Sequence, residues 1–257
     1  MLALLILPGA LGFQQAVAPR ATVAAKETKA DLEALAKGLN PIVGFWDPLG
    51  CAEYDFWGLG NEATIGFLRH AEIKHGRIAM AGFLGFCAQC TPLVAGPHKV
   101  LPYTGYVPGV TPQEQWDNIP YIGKLQIITF IGMLESYGEG AGNPEGYVHY
   151  TCGGKPGYFP PIKGKGLGQI PLDLYDPLGW FPKNKTPEEL EKGLKAEINN
   201  GRLAMIGLLG LLSESSTPGS VPVLSGISSF PKYSGEVMAP FSADWSFSTI
   251  PAYTYFH

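Results

Sequence analysis

Ala71-Glu72-Ile73-Lys74-His75-Gly76-Arg77-Ile78-Ala79-Met80 and Ala196-Glu197-Ile198-Asn199-Asn200-Gly201-Arg202-Leu203-Ala204-Met205 are one phrase written twice, 125 positions apart (71 to 196). Each copy sets a carboxylate, then a histidine or asparagine three residues on, then an arginine five on, directly before an apolar run. Ala, Leu, Met, Glu, Lys and Arg dominate, and no proline interrupts Phe67 to Gln89 or Leu190 to Glu214, so both copies read as helix. The second helix has a written start: Thr186-Pro187-Glu188-Glu189 offers an N-cap, a proline at the first helical position and a capping-box glutamate at the third.

At about 100° per residue, Glu72 and His75 lie about 60° apart, whereas Arg77 sits about 140° round from Glu72. Glu72 and Arg77 cannot meet on one helix. If the two helices cross, each glutamate meets the other copy's arginine, which predicts Glu72 with Arg202 and Glu197 with Arg77. A glutamate neutralised by arginine keeps lone pairs for a hard cation such as Mg²⁺, and His75 and Asn200 place a ring nitrogen and an amide oxygen one turn further on. Each helix thus offers two axial donors to a metal whose other ligands come from elsewhere. Small residues recur at every third position, Gly76, Ala79, Gly82, Gly85 and Gly201, Ala204, Gly207, Gly210. This pattern suggests close backbone approach along the pair.

Composition narrows the class. The chain has 257 residues, is 46% hydrophobic and only 16% charged, and carries 34 Gly and 23 Pro, which suits helices joined by long irregular connections. A formal net charge of -4 gives no basic footprint for nucleic acid. No segment has about 18 to 20 uninterrupted apolar residues, but extending Ile78–Ala88 and Leu203–Leu212 through their ion-paired turns reaches spanning length. A middle helix runs from near Ile119-Pro120 to Tyr137-Gly138, with Gly138 as its stop. It carries Gln126 and Glu135 on opposite sides, as ligands or as ordinary polar residues. The expectation is an all-α membrane protein of three spans, about 65–91, 119–138 and 187–214, the first and third crossing as a pseudo-twofold pair.

Residues 1–25 are apolar and small, with a hydrophobic core at Leu2–Leu7 too short to cross a bilayer, and read as a targeting segment ahead of a single domain from 26 to 257. The aromatic tail (Phe241, Trp245, Phe247, Tyr253, Tyr255, Phe256) suits either a membrane interface or packing on the protein. Cys87 and Cys90 form a C-x-x-C at a helix end with no second pair at zinc spacing, so structural thiols are expected there and at Cys51 and Cys152. His70, His98, His149 and His257 lack a partner pattern and read as loop or helix-end residues. Asp47-Pro48-Leu49-Gly50 and Asp176-Pro177-Leu178-Gly179 form a second echo, a turn ahead of each motif helix.

Together these residues resemble the chlorophyll-binding light-harvesting antenna superfamily of thylakoid membranes, from about Val43 to Pro240. The resemblance implies chlorophyll magnesium, and no other metal, held axially by Glu72, His75, Gln126, Glu135, Glu197, Asn200 and Glu214. Arg77 and Arg202 would be the crossed partners of the glutamates. The two Asp-Pro-Leu-Gly loops, Asp47, Pro48, Leu49, Gly50 and Asp176, Pro177, Leu178, Gly179, would lie near carotenoid end groups. It implies chlorophyll a, chlorophyll c and carotenoids in a multi-pass plastid thylakoid protein that passes excitation to a photosystem I or II core, among neighbouring antenna subunits and thylakoid lipids. The land-plant pattern has a histidine on a short C-terminal helix, which is absent here between Glu214 and His257. The spacing of Gln126 and Glu135 is instead similar to the fucoxanthin or peridinin antennae of red-type plastids. Gly153–Gly157, Val221-Pro222 and Gly235–Phe241 look most like the dinoflagellate proteins, which implies peridinin and diadinoxanthin, with fucoxanthin as the alternative. The Phe13 context is similar to the targeting phenylalanine of complex plastids.

Two other readings compete. One is a photoprotective, energy-quenching member of the same superfamily. The other is a di-iron carboxylate enzyme, suggested by E-x-x-H on a helix with further glutamates nearby. That enzyme needs a second E-x-x-H, where this chain has Asn200, and each motif glutamate here has an arginine to occupy it. No nucleophile with a base and an orienting group is evident, so the chain reads as a non-enzyme.

Overall fold

A computed structural model describes residues 27–97, 104–142, 144, 146–164, 170–174, 176, 178–179, 185–227, 229–235 and 241. The targeting segment, Phe13, His98, His257, Pro177 and most of the aromatic tail lie outside the described residues. Seven helices are described: α1 Lys29–Leu39, α2 Asn61–Gln89, α3 Pro92–Ala95, α4 Pro112–Asn118, α5 Tyr121–Gly138, α6 Pro187–Ser216 and α7 Pro222–Ser225. Short 3-10 turns occupy Cys51–Glu53 and Tyr150–Cys152, and no strand occurs among the described residues.

Capping chemistry fixes several of these starts. Thr186 accepts from the Glu189 N–H while the Glu189 carboxylate accepts from the Thr186 N–H, the reciprocal box expected at Pro187. The same box opens α4 at Thr111/Glu114 and α1 at Thr28/Asp31. At α2 no side chain caps the first turn. Its start is held instead by the preceding loop: the Asn61 amide donates to the Ala52 carbonyl and Thr64 Oγ1 accepts from the Phe56 N–H.

α2 and α6, with 29 and 30 residues, are each about 43–45 Å long at 1.5 Å per residue and form the core of the molecule. They meet at Gly76 and Gly201. A Cβ on Gly76 would stand 3.0 Å from Gly201 Cα, and one on Gly201 would stand 2.9 Å from Gly76 Cα, so no side chain fits between the two backbones. The pair is buried symmetrically on either side of that contact, by Ile73 and Ile198 toward one end and by Phe86 and Leu211 toward the other.

One expectation is corrected. The glycine tracks do not zip the pair along its length. A Cβ on Gly82 would meet a Leu208 side chain, one on Gly207 a Phe83 ring, and one on Gly85 nothing within 4 Å. A step of three residues falls about 60° short of a full turn, so after nine residues the track has wound to the opposite side of the helix. α5 ends at Gly138 as expected, without a left-handed residue at that position. Gly138 is the last helical residue, packed under the Phe159 ring, and the left-handed residue is Gly140 at φ 94°. On spanning, α2, α5 and α6 cover the three expected segments, yet among the described residues no helix is long and apolar enough to cross a membrane on hydropathy. α5 is 18 residues long and contains Lys124, Gln126 and Glu135, while α2 and α6 carry their charged motifs within the helix.

Candidate functional site

Both crossed ion pairs are present. Arg202 reaches Glu72 Oε1 through Nε and Nη2, both at 2.6 Å. Arg77 Nε reaches Glu197 Oε1 at 2.6 Å. The second hand of Arg77 is Nη1, which donates to the Gly157 carbonyl at 2.6 Å and ties the 153–160 connector to the crossing. Gly157 has φ 75°, and a Cβ there would press into Ile73 at 2.7 Å, so the connector lies flat on α2 only because this residue has no side chain. Its N–H donates to His70 Nδ1 at 3.0 Å.

His75 is exposed, and its Nδ1 lies 2.7 Å from the Ala71 carbonyl. A carbonyl only accepts, so Nδ1 carries the proton and the Nε2 lone pair is free, the arrangement by which a backbone partner orients a ligating histidine. Asn200, its counterpart, is likewise exposed. The residue before each of these ties down a neighbouring helix. Lys74 bridges Glu135 of α5 and, at 3.5 Å, Glu139, while Asn199 donates to the Leu39 carbonyl at the end of α1 at 3.4 Å.

The other expected ligands are placed differently. Gln126 is exposed on α5, half a turn round from Glu135 as the nine-residue spacing requires. Glu135 faces α2 through Lys74. Glu214 is buried, and its oxygens accept from the N–H groups of Gly219 and Val221, both at 2.8 Å, and from the Ser220 hydroxyl at 3.5 Å, so its carboxylate clamps the turn after α6. In the first Asp-Pro-Leu-Gly turn, Asp47 accepts from the Cys51 and Ala52 N–H groups at 3.0 and 2.8 Å, and Gly50 is left-handed. The second closes with a Gly179 N–H to Asp176 carbonyl bond at 3.1 Å, with Gly179 again left-handed. Leu49 and Leu178 are exposed in both.

With this geometry in place, the chain can be compared with known proteins. The chlorophyll A-B binding protein profile matches residues 32–216. A fucoxanthin-chlorophyll a-c binding protein of Trieres chinensis is 31% identical over 194 residues, 73% of this chain and 81% of the relative. Relatives of the same description from Macrocystis pyrifera and Phaeodactylum tricornutum are 29% and 28% identical over 68% and 74% of this chain, covering 70% and 81% of their own lengths. The chain belongs to the chlorophyll A-B binding protein family. The donor types fit a chlorophyll-binding family: oxygen and imidazole groups, of the kind that would hold chlorophyll magnesium, stand on helix flanks. Among the described residues no group of three or more His, Cys, Asp and Glu is arranged to hold a metal ion, and both motif glutamates are taken by arginines, so the di-iron alternative is not favoured.

In this chlorophyll-binding chain, sequence reasoning missed a polar nest where α5 meets the connector. Glu139 caps α5 and accepts from the Tyr150 hydroxyl at 2.8 Å and from His149 Nε2 at 2.9 Å. Burial works against its charge, but the hydrogen bonds of Tyr150 and His149, with Lys74 and His70 nearby, hold its carboxyl below the usual carboxylate range. Burial first, and then the Glu139 hydrogen bond, pushes the Tyr150 phenol up. His70 is not a loop or helix-end residue. It is buried inside α2 and stacked on Tyr150 at 4.0 Å between ring centres. The available signal was its position two residues before Glu72, on a helix face with Ile73. Cys51, Cys87, Cys90 and Cys152 are all free thiols.

Proposed function

We propose that the chain is a light-harvesting antenna subunit that binds chlorophyll a, chlorophyll c and oxygenated carotenoids and passes excitation toward a photosystem, with no bond chemistry of its own. The observation that carries this reading is the reciprocal pairing of Glu72 with Arg202 and Glu197 with Arg77 across the Gly76/Gly201 contact, with His75 Nε2 left free one turn on.

Bound chlorophyll supplies the visible absorption and the excited state that moves. The residues fix where and how it sits. Glu72, Glu197, His75 and Asn200 on the flanks of the helix pair, and Gln126 and Glu135 on α5, would hold the chlorophyll magnesium ions. Glu214, which also holds the turn after α6, would add a donor at the end of that set. The arginines neutralise the glutamates so that the donors remain in an apolar environment without a net charge. That pairing supports a membrane-embedded placement of α2, α5 and α6 in a plastid thylakoid, because the exposed faces of these helices, Ile78, Leu84, Leu203, Ile206, Leu209, Phe130 and Ile131 among them, are apolar. The two Asp-Pro-Leu-Gly turns, each with an exposed leucine, suit the ends of elongated pigments lying beside the crossing. The relatives are described by fucoxanthin binding, and fucoxanthin or peridinin is the carotenoid proposed here.

The test is the absorption and fluorescence-excitation spectrum of the protein in mild detergent, followed by pigment extraction and separation. Chlorophyll a bands, with chlorophyll c and carotenoid absorption exciting chlorophyll a emission, are expected, and extraction names the carotenoid. A colourless protein carrying iron overturns the reading. His75→Leu should lose one chlorophyll per chain with the other pigments and the melting temperature retained. Loss of the whole pigment set would show that His75 holds the fold rather than one pigment.

A further inference from the structure

The two motif glutamates are sequence equivalents but not electrostatic equivalents. Glu72 accepts on both oxygens: Oε1 takes Arg202, and Oε2 takes Arg69 Nη1 at 2.7 Å from three residues earlier on the same helix. Glu197 accepts only on Oε1, from Arg77, and among the described residues nothing bonds its Oε2. The position that corresponds to Arg69 in the second copy is Leu194 (69 plus the 125-residue offset). Arg69 is largely buried. Its side chain is 11% exposed, and Glu27, just ahead of α1, stands behind it with Oε2 at 3.4 Å from Nε.

A carboxylate oxygen that already accepts from a guanidinium has less charge to share with a metal. From this difference we infer that Arg69 is a positioning residue that sets the donor strength of Glu72 toward chlorophyll magnesium and so makes the two pseudo-equivalent pigment sites spectrally distinct. The inference rests on the antenna reading. It adds that the distinction is written in a residue outside the repeated phrase. Arg69→Leu converts Glu72 into the arrangement of Glu197, one arginine on one oxygen. Leu194→Arg builds the Glu72 arrangement around Glu197.

The experiment uses the full chain refolded with chlorophyll a, chlorophyll c and carotenoid. It compares low-temperature absorption difference spectra and the coordination-sensitive resonance Raman bands of chlorophyll a in wild type, Arg69→Leu, Arg69→Lys and Leu194→Arg. Arg69→Leu should keep its chlorophyll count and shift one chlorophyll a band, Arg69→Lys should return that band toward its original place, and Leu194→Arg should shift a different band in the opposite direction. An Arg69→Leu protein with full pigment and an unchanged spectrum overturns the inference. So does loss of pigment in Arg69→Leu together with a spectrally silent Leu194→Arg, which would make Arg69 a purely structural residue. The antenna reading fails on a separate result: wild-type chain that takes up no chlorophyll, or Glu72→Gln and Glu197→Gln variants that lose none.

Discussion

The crossed pair α2/α6 and the middle helix α5 are held by opposite means. At the crossing, backbone touches backbone at Gly76/Gly201, two ion pairs bracket the contact, and Ile73, Ile198, Phe86 and Leu211 are buried around it. α5 buries only Lys124 near its start and Gly138 at its end, while Ile122, Ile127, Ile128, Phe130, Ile131 and Met133 stay exposed along its length. Near its end it is moored by Lys74 to Glu135 and by the Tyr137 hydroxyl to the Pro161 carbonyl. The crossing is therefore specified by protein touching protein. The flanks of α5 present apolar side chains that no other part of the described chain covers, the kind of surface the proposed antenna function calls for.

The strongest way to break this contrast is Gly76→Val. The obstacle is the Gly201 backbone, which has no flexible side chain to yield, so the cost should reach or exceed the about 1–3 kcal/mol typical of overpacking. We expect almost no pigmented protein to be recovered, as measured by yield on a sucrose gradient. Next come the two arginines, which separate within the pair. Arg77→Leu leaves Glu197 with no partner and releases the Gly157 carbonyl, whereas Arg202→Leu leaves Glu72 still bonded to Arg69. Both should damage folding and pigment binding. Arg77→Leu should do more, by an amount of the order of the about 2.5–3.5 kcal/mol for an unpaired charge at mid-membrane. Equal melting temperatures for the two would show that Arg69 does not compensate.

Lys74→Met probes the mooring of α5. A partly exposed pair contributes about 0.2–1 kcal/mol, so the melting temperature should barely move while amide exchange at the Glu135 end of α5 quickens ahead of α2 and α6. Exchange rising equally in all three helices would place α5 in the same cooperative unit as the crossing. The smallest effect is expected at Asp47. The Ala52 N–H, and with it those of Cys51 and Gly50, holds this carboxyl below the usual carboxylate range against burial. A depressed folded-state value stabilises the turn above the unfolded value of about 3.9, and this is lost as pH falls below that through the folded value. Fluorescence of the neighbouring Trp46 should report the loss, and Asp47→Asn should abolish its pH dependence.

Much of the crossing was legible because helical periodicity turns a repeated phrase into geometry. Glu72 cannot reach Arg77 on its own helix, and a second copy supplies the partner. The α6 start was legible at Thr186-Pro187-Glu188-Glu189, and the same writing at Thr111-Pro112-Gln113-Glu114 marks the start of α4, where it was overlooked. The glycine tracks misled because a spacing of three was treated as one face, when it winds off that face within three steps. His70, Glu139, Tyr150 and Gly157 were not legible as a group. They meet through a connector whose path depends on a left-handed glycine and on contacts 80 or more residues apart, such as Arg77 with Gly157. For Glu214 the residue type suggested a ligand, and what could not be read was that the chain doubles back at Gly219, so that its carboxylate also holds that turn.

The crossed wiring also bears on inheritance. Under a twofold operation Glu72 maps onto Glu197 and Arg202 onto Arg77, so the contact is self-complementary in the way a symmetric dimer interface is. One copy of the phrase cannot neutralise its own charges, but two copies of a single-phrase chain satisfy each other with the same residues in the same roles. Once both are fused in one polypeptide, an altered glutamate in one half is felt by the arginine of the other, and the halves are bound to change together at those four positions. Elsewhere, as at Arg69 and Leu194, the two halves differ.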